Sequence, residues 1–148
     1  MKRLRFSIRI DAPRDHVWDT MLGDATYREW TATFMPGSRY EGDWSEGSRI
    51  LFLAPGEDGD SGMVSRIRAN RPGEFVSIEH LGVVQDGREI TTGDTVEAWA
   101  GALENYTFRD ADGGTEVLIE MDSDEEHVEM FEGLWPKALQ RLKEVAER

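Results

Sequence analysis

Residues 102–122 read ALENYTFRDADGGTEVLIEMD, and the fold turns on how that stretch divides. Two runs, Ala102–Arg109 and Thr115–Asp122, flank the Gly-rich turn Asp110–Gly114. Along the first run Glu104, Tyr106 and Phe108 share one face, while Leu103, Asn105 and Thr107 share the other. Along the second, Val117, Ile119 and Met121 alternate with Leu118, Glu120 and Asp122. Successive side chains of a strand point to opposite faces, so each run is a half-buried strand and the pair is a hairpin.

The same punctuation continues upstream. Arg39–Trp44 and Ser48–Ala54 flank Ser45-Glu46-Gly47, and Gly62–Ala69 and Glu74–Leu81 flank Asn70-Arg71-Pro72-Gly73. Between these runs and the hairpin, residues Gly82–Ala98 are polar and hold the turn dipeptides Asp86-Gly87 and Gly93-Asp94. That stretch reads as a loop with room for one edge strand. At the start of the chain Leu4–Ile10 alternates, with Phe6, Ile8 and Ile10 on one face and Arg5, Ser7 and Arg9 on the other. Pro13 suits the first turn of a helix, and Val17, Trp18, Met21 and Leu22 follow at helical spacing up to Gly23. Ala25–Trp30 reads as a second short helix, with Tyr27 and Trp30 on its apolar side, and Pro36-Gly37 as a turn.

Downstream of Asp122 the period changes. Val128, Phe131, Trp135, Ala138, Leu142 and Val145 recur at steps of three and four, the stripe of one long amphipathic helix. Ser123 or Asp124 is placed to cap it, and Asp124, Glu125 and Glu126 suit the positive end of its dipole. Gly133 and Pro136 fall inside it and are expected to bend it. The order is a strand, two short helices, a run of strands and a long helix. This segregation predicts an α+β fold, a curved antiparallel sheet of six to seven strands closing around the terminal helix. No repeat, low-complexity tract or linker interrupts the chain, so residues 1–148 are read as a single domain.

Composition narrows the function. The 148 residues carry 17 Lys and Arg against 30 Asp and Glu, a net charge of −13. That balance argues against nucleic acid, whose binding needs cations to displace counterions, and against an anionic membrane surface. Cysteine is absent, which removes thiol nucleophiles, thiolate metal sites and disulfides, and fits a cytoplasmic location. The longest unbroken apolar run, Ile50–Ala54, is far short of the ~20 residues a spanning helix needs, so no membrane insertion is expected. Asp58-Gly59-Asp60-Ser61-Gly62 superficially looks like a calcium loop. Gly62 and Ala69 stand at positions five and twelve, where such a loop needs oxygen ligands, so it reads as an acidic hairpin loop. No P-loop, dinucleotide fingerprint or nucleophile elbow occurs, and no cofactor or metal is expected.

Several local phrases resemble the family of activator of heat-shock protein 90 ATPase homologues, within the START/Bet v 1-like (SRPBCC) superfamily. They are Ile10-Asp11-Ala12-Pro13 with Val17-Trp18, Glu29-Trp30, Gly42-Asp43-Trp44 with Gly47-Ser48, and Trp135-Pro136-Lys137-Ala138-Leu139 with Leu142. The most specific is Trp99-Ala100-Gly101-Ala102-Leu103-Glu104-Asn105-Tyr106-Thr107-Phe108. The likeness spans essentially the whole chain, with one departure: many relatives have Gly directly before the terminal-helix Trp, where Leu134 stands here. The resemblance implies the helix-grip fold and a cavity between sheet and terminal helix, often used for apolar or amphipathic molecules. It implies no shared catalytic set.

Strand parity turns Glu104, Tyr106, Phe108 and Met121 toward that cavity, with Phe131, Leu134 and Trp135 as its lid and Trp30, Phe52, Met63 and Trp99 completing the wall. Large aromatics at such spacings also fill ordinary cores, so an open cavity and a filled core both remain in view. Glu104 is singled out because its companions are aromatic: a carboxylate among them is either functional or structurally paired. His80 shares a face with Val76 and Ile78, and a contact with Glu104 across the sheet would make an acid–base pair. His16 and His127 read as surface residues.

Three functions follow. The first is binding of a small apolar or amphipathic ligand. The second is a co-chaperone-like interaction with a heat-shock ATPase or another protein, through the acidic run Asp122–Glu132. The third is a cyclase- or hydrolase-like enzyme using Glu104 and His80. Monomer and homodimer both remain open.

Overall fold

The computed structural model describes residues 1–148. Strand β1 (Lys2–Ile10) leads into helices α1 (Arg14–Leu22) and α2 (Asp24–Thr31). Strands β2 (Arg39–Gly42), β3 (Arg49–Ala54), β4 (Ser61–Arg71), β5 (Phe75–Gln85) and β6 (Arg88–Ile90) follow. A four-residue helix α3 (Asp94–Glu97) precedes β7 (Leu103–Ala111) and β8 (Gly114–Ser123). A 3-10 turn, Glu125–His127, then opens α4 (Val128–Glu147). The spatial order is β1-β8-β7-β5-β4-β3-β2, all antiparallel, with β6 paired to β5 beside that path. Strand and helix periods thus resolve into the helix-grip arrangement, one curved sheet carrying α4 and the short helices on its inner face. No helix is long and apolar enough to cross a membrane.

The region expected to be a loop is the main revision. Residues 82–98 extend β5 to Gln85, add β6 and supply α3, bringing the strand count to eight. Gln85 pairs directly with Arg88, so Asp86-Gly87 is a two-residue hairpin turn, with φ of 52° and 77°. Positive φ at both central residues defines the turn whose twist matches its strands, and Asp-Gly is its favoured sequence. Asp112-Gly113 joins β7 to β8 the same way, so that turn is tighter than the expected Asp110–Gly114. Gly82 makes room for the added strand: a Cβ there would run into the carbonyl oxygen of Ile90.

Neither expected cap forms on the terminal helix. The Asp124 carboxylate pairs with His127 Nδ1 at 2.8 Å, and the Ser123 hydroxyl donates to the Asp124 carbonyl. With that carboxylate engaged by His127, the chain enters α4 through a 3-10 turn. The helix then runs unbroken through Gly133 and Pro136. Its buried stripe, Trp135, Ala138, Leu139, Leu142 and Ala146, joins Val17, Met21 and Trp30 from the short helices and the inner residues of β1, β5, β7 and β8 in one core. The outer face of the sheet carries only a small apolar cluster of Leu53, Val64 and Val84, with Leu51 against it.

Candidate functional site

The sheet's inner face is solid at one end and hollow at the other. The hollow is a cavity of about 520 Å³ bounded by β3, β4, β5, β7, β8, the end of α2 and the beginning of α4. Pockets that hold small molecules span roughly 300–1,000 Å³. Of the residues expected to line it, Trp30, Phe52, Met63, Trp99, Glu104, Tyr106, Met121, Phe131 and Trp135 do, and His80 joins them.

Two expected residues lie elsewhere. Phe108 has the right parity but sits under α1, where Trp18 closes over it edge-on at 5.1 Å between centroids. Leu134 precedes Trp135 by one residue, which on a 3.6-residue helix turns it about 100° away, whereas Phe131 is only about 40° off. Leu134 is therefore half-buried on the helix flank, outside the cavity.

The walls are aromatic. Trp135 stands 6.1 Å from Tyr106, 6.0 Å from Trp30 and 5.0 Å from Phe34 between ring centroids. Tyr27 meets Phe52 at 6.2 Å and Trp30 at 5.6 Å. Two hydrogen bonds tie α2 and β2 to the end of α1: Trp30 Nε1 donates to the Met21 carbonyl and Tyr40 Oη to that of Leu22.

The floor is polar and connected. His80 Nε2 lies 3.2 Å from Glu104 Oε1, and its Nδ1 lies 2.8 Å from Ser65 Oγ. The Tyr106 hydroxyl donates to Glu104 Oε2. An ionised carboxylate only accepts, so His80 donates from Nε2 to Glu104, and in the neutral imidazole Nδ1 then accepts from Ser65 Oγ. The chain therefore runs Ser65 to His80 to Glu104, with Tyr106 closing it from the other side. Burial, then the Glu104 charge, Tyr27 and the Glu104 hydrogen bond, push the Tyr106 hydroxyl well above its usual ionisation range. Burial, then Glu104 and Tyr40, raise Tyr27 as well. Both hydroxyls stay protonated and face the cavity as neutral groups.

The backbone places these groups by register. Ser65 opposes His80, while Glu104 opposes Met121 on β8 and, on β5, Ile78, two residues from His80, so His80 and Glu104 meet diagonally across neighbouring strands. A bulge between Val64 and Ser65 changes the count on β5. Met63 pairs with Val83 and Ser65 with His80, so Val83 and His80 both face inward although three residues apart. Ser65 is fully buried and absent from the lining, so it orients His80 and does not meet a ligand.

At the rim lie Met1, Asp122, Asp124 and His127. Asp122 pairs with Arg3 at 2.8 Å and accepts the Leu103 N–H. Asp124, Glu126 and His127 bring ligand atoms within 4.8 Å of one another, the one grouping of metal-ligating type, and it is largely solvent-exposed. In the Asp58–Gly62 loop, Asp60 is engaged by Arg39 at 2.7 Å. That ion pair accords with the acidic-loop reading.

The architecture and cavity define a helix-grip, START/Bet v 1-like protein. The sequence pattern described as "Activator of Hsp90 ATPase homolog 1-like protein" matches residues 11–147, and the chain belongs to that family. Among solved structures it is similar to the Aha1 dimer from Colwellia psychrerythraea, at 18% identity and a TM-score of 0.70, covering 99% of this chain and 97% of that one. Protein MLL2253 from Mesorhizobium loti is 14% identical with a TM-score of 0.69 over 97% of this chain and 96% of its own. Protein NE0264 from Nitrosomonas europaea is 14% identical with a TM-score of 0.72, covering 97% and 92%. At these identities the likeness is one of fold. No curated protein matches the chain.

Proposed function

We propose that the protein binds a small apolar or amphipathic molecule in the cavity between the sheet and α4. The observation that carries this reading is a hollow of about 520 Å³ with aromatic walls and a polar floor at Glu104 and His80. A binding site of this class combines apolar lining with a few placed polar groups that orient the ligand, and the cavity has both. Membership of a family and fold that commonly hold hydrophobic ligands supports it. Native mass spectrometry of the purified protein tests it: a retained adduct of a few hundred daltons is expected, and affinity for that compound falls in Trp135→Ala and Tyr106→Ala. Unchanged affinity in both folded variants removes this site.

A second reading is favoured by one contact, His80 Nε2 on Glu104 Oε1 at 3.2 Å. That pair is able to move a proton between substrate atoms as general base and acid. Glu104→Gln then lowers turnover by about 10²–10⁴-fold. A variant as active as the parent ends that assignment.

A further inference from the structure

We propose, resting on the cavity-binding reading above, that the cavity selects amphiphiles whose polar end is a protonated amine, seated against Glu104. The observation is a carboxylate in an aromatic cavity with no lysine or arginine beside it. Glu104 is 18% exposed at its side chain, and its two partners are the Tyr106 hydroxyl and the His80 imidazole, neither of them a permanently charged group. No lysine or arginine lines the cavity. Asp122, by contrast, is matched by Arg3. A carboxylate held among aromatic rings is costly unless paired and hydrogen-bonded.

Its bonding capacity is also incomplete. A carboxylate offers about four lone-pair positions, and Tyr106 and His80 occupy two. An ammonium group brings three donors and a permanent positive charge, forming the stronger charge-assisted kind of hydrogen bond. Tyr27, Phe52 and Tyr106 line the same cavity, and aromatic rings attract cations to their faces. A carboxylate-headed ligand instead meets Glu104 in the floor and Asp122 and Asp124 at the rim, with no lysine or arginine in the lining to receive it. An alcohol is tolerated but supplies no charge. The chain's net charge of −13 further favours approach of a cation.

Decylamine, decanol and decanoate share one tail and differ in head group. Each is titrated calorimetrically into the full chain and into Glu104→Gln, at neutral pH and about 0.15 M salt. In the unmodified protein decylamine is expected to bind at least about tenfold tighter than decanol, about 1.4 kcal/mol, with decanoate weakest. In Glu104→Gln the amine and alcohol affinities converge, while retained decanol binding reports an intact cavity. An amine preference that survives Glu104→Gln, or that vanishes at about 1 M salt where surface charges are screened to ~3 Å, places the cation on the acidic surface and overturns the proposal. Decanol or decanoate binding the unmodified protein as tightly as decylamine overturns it too, while leaving the cavity reading standing. If none of the three binds, the cavity reading itself fails. The head-group series on the unmodified protein decides the matter even if the variant does not fold.

Discussion

Tyr106 and Phe108 sit two residues apart on β7, share a face, and oppose Ile119 and Val117 on β8. Both are buried. Yet Phe108 is enclosed by Trp18 of α1, while Tyr106 has Trp135 at 6.1 Å, Glu104 beneath and open volume beside it. The strands are the same and so is the alternation; the difference lies in what is stacked above. Over Phe108 a whole helix lies with Val17 and Met21 fully buried. Over Tyr106 the helices α2 and α4 contribute only their ends, reaching in with rings from Tyr27, Trp30, Phe131 and Trp135. Strand parity therefore decides which face is covered, and helix placement decides whether the cover is solid.

Mutations separate the two ends. Phe108→Ala removes a ring from the solid end and is expected to cost about 3–5 kcal/mol in urea unfolding, while the folded fraction binds ligand with unchanged affinity. Phe52→Ala, at the half-buried edge of the hollow, is expected to cost less than about 2 kcal/mol yet to weaken binding, because the ring already borders open space. Equal costs at the two positions would erase the distinction.

Alkaline pH sharpens it further. The hollow end keeps Tyr106 and Tyr27 protonated well beyond the ordinary tyrosine range. Below about pH 10 neither folded nor unfolded chain loses those protons, so the fold keeps its full stability there. Above that the unfolded chain ionises while the native chain does not, and stability falls as pH rises. Unfolding free energy measured from pH 9 to 11 is expected to decline, and to decline less steeply in Tyr106→Phe. A profile flat through pH 11 contradicts the burial of these hydroxyls. The smallest effect is expected for Glu125→Lys on the exposed 3-10 turn, within about 0.5 kcal/mol in stability and without change in ligand affinity.

Much of this was legible in the residues. The alternation in β7 and β8 placed Glu104, Tyr106 and Met121 on the inner face, and the stripe at Phe131 and Trp135 placed the lid. Parity also set His80 inward with Val76 and Ile78. Phe108 was misplaced because period two says nothing about where along a strand a helix ends. Leu134 was misplaced because apolar character alone does not report its angle on the helix. Val83 and the pairing of Ser65 with His80 were invisible because both depend on a bulge, which shifts the count on β5 without a marker in either strand. In residues 82–98 the turn at Asp86-Gly87 and one edge strand were legible, whereas the extension of β5 to Gln85 and the short helix α3 were hidden by the polar flanks.

The chain has five tryptophans, which makes the comparison directly measurable. Trp30, Trp99 and Trp135 line the cavity, while Trp18 packs on Phe108 outside it. Their indole N–H signals in a nitrogen–proton correlation spectrum, followed during titration with decylamine, report each end of the sheet separately. Saturable shifts at Trp30, Trp99 and Trp135 with Trp18 unmoved are the expected result. No saturable shift at the three, or movement centred on Trp18, would contradict a binding cavity at the hollow end.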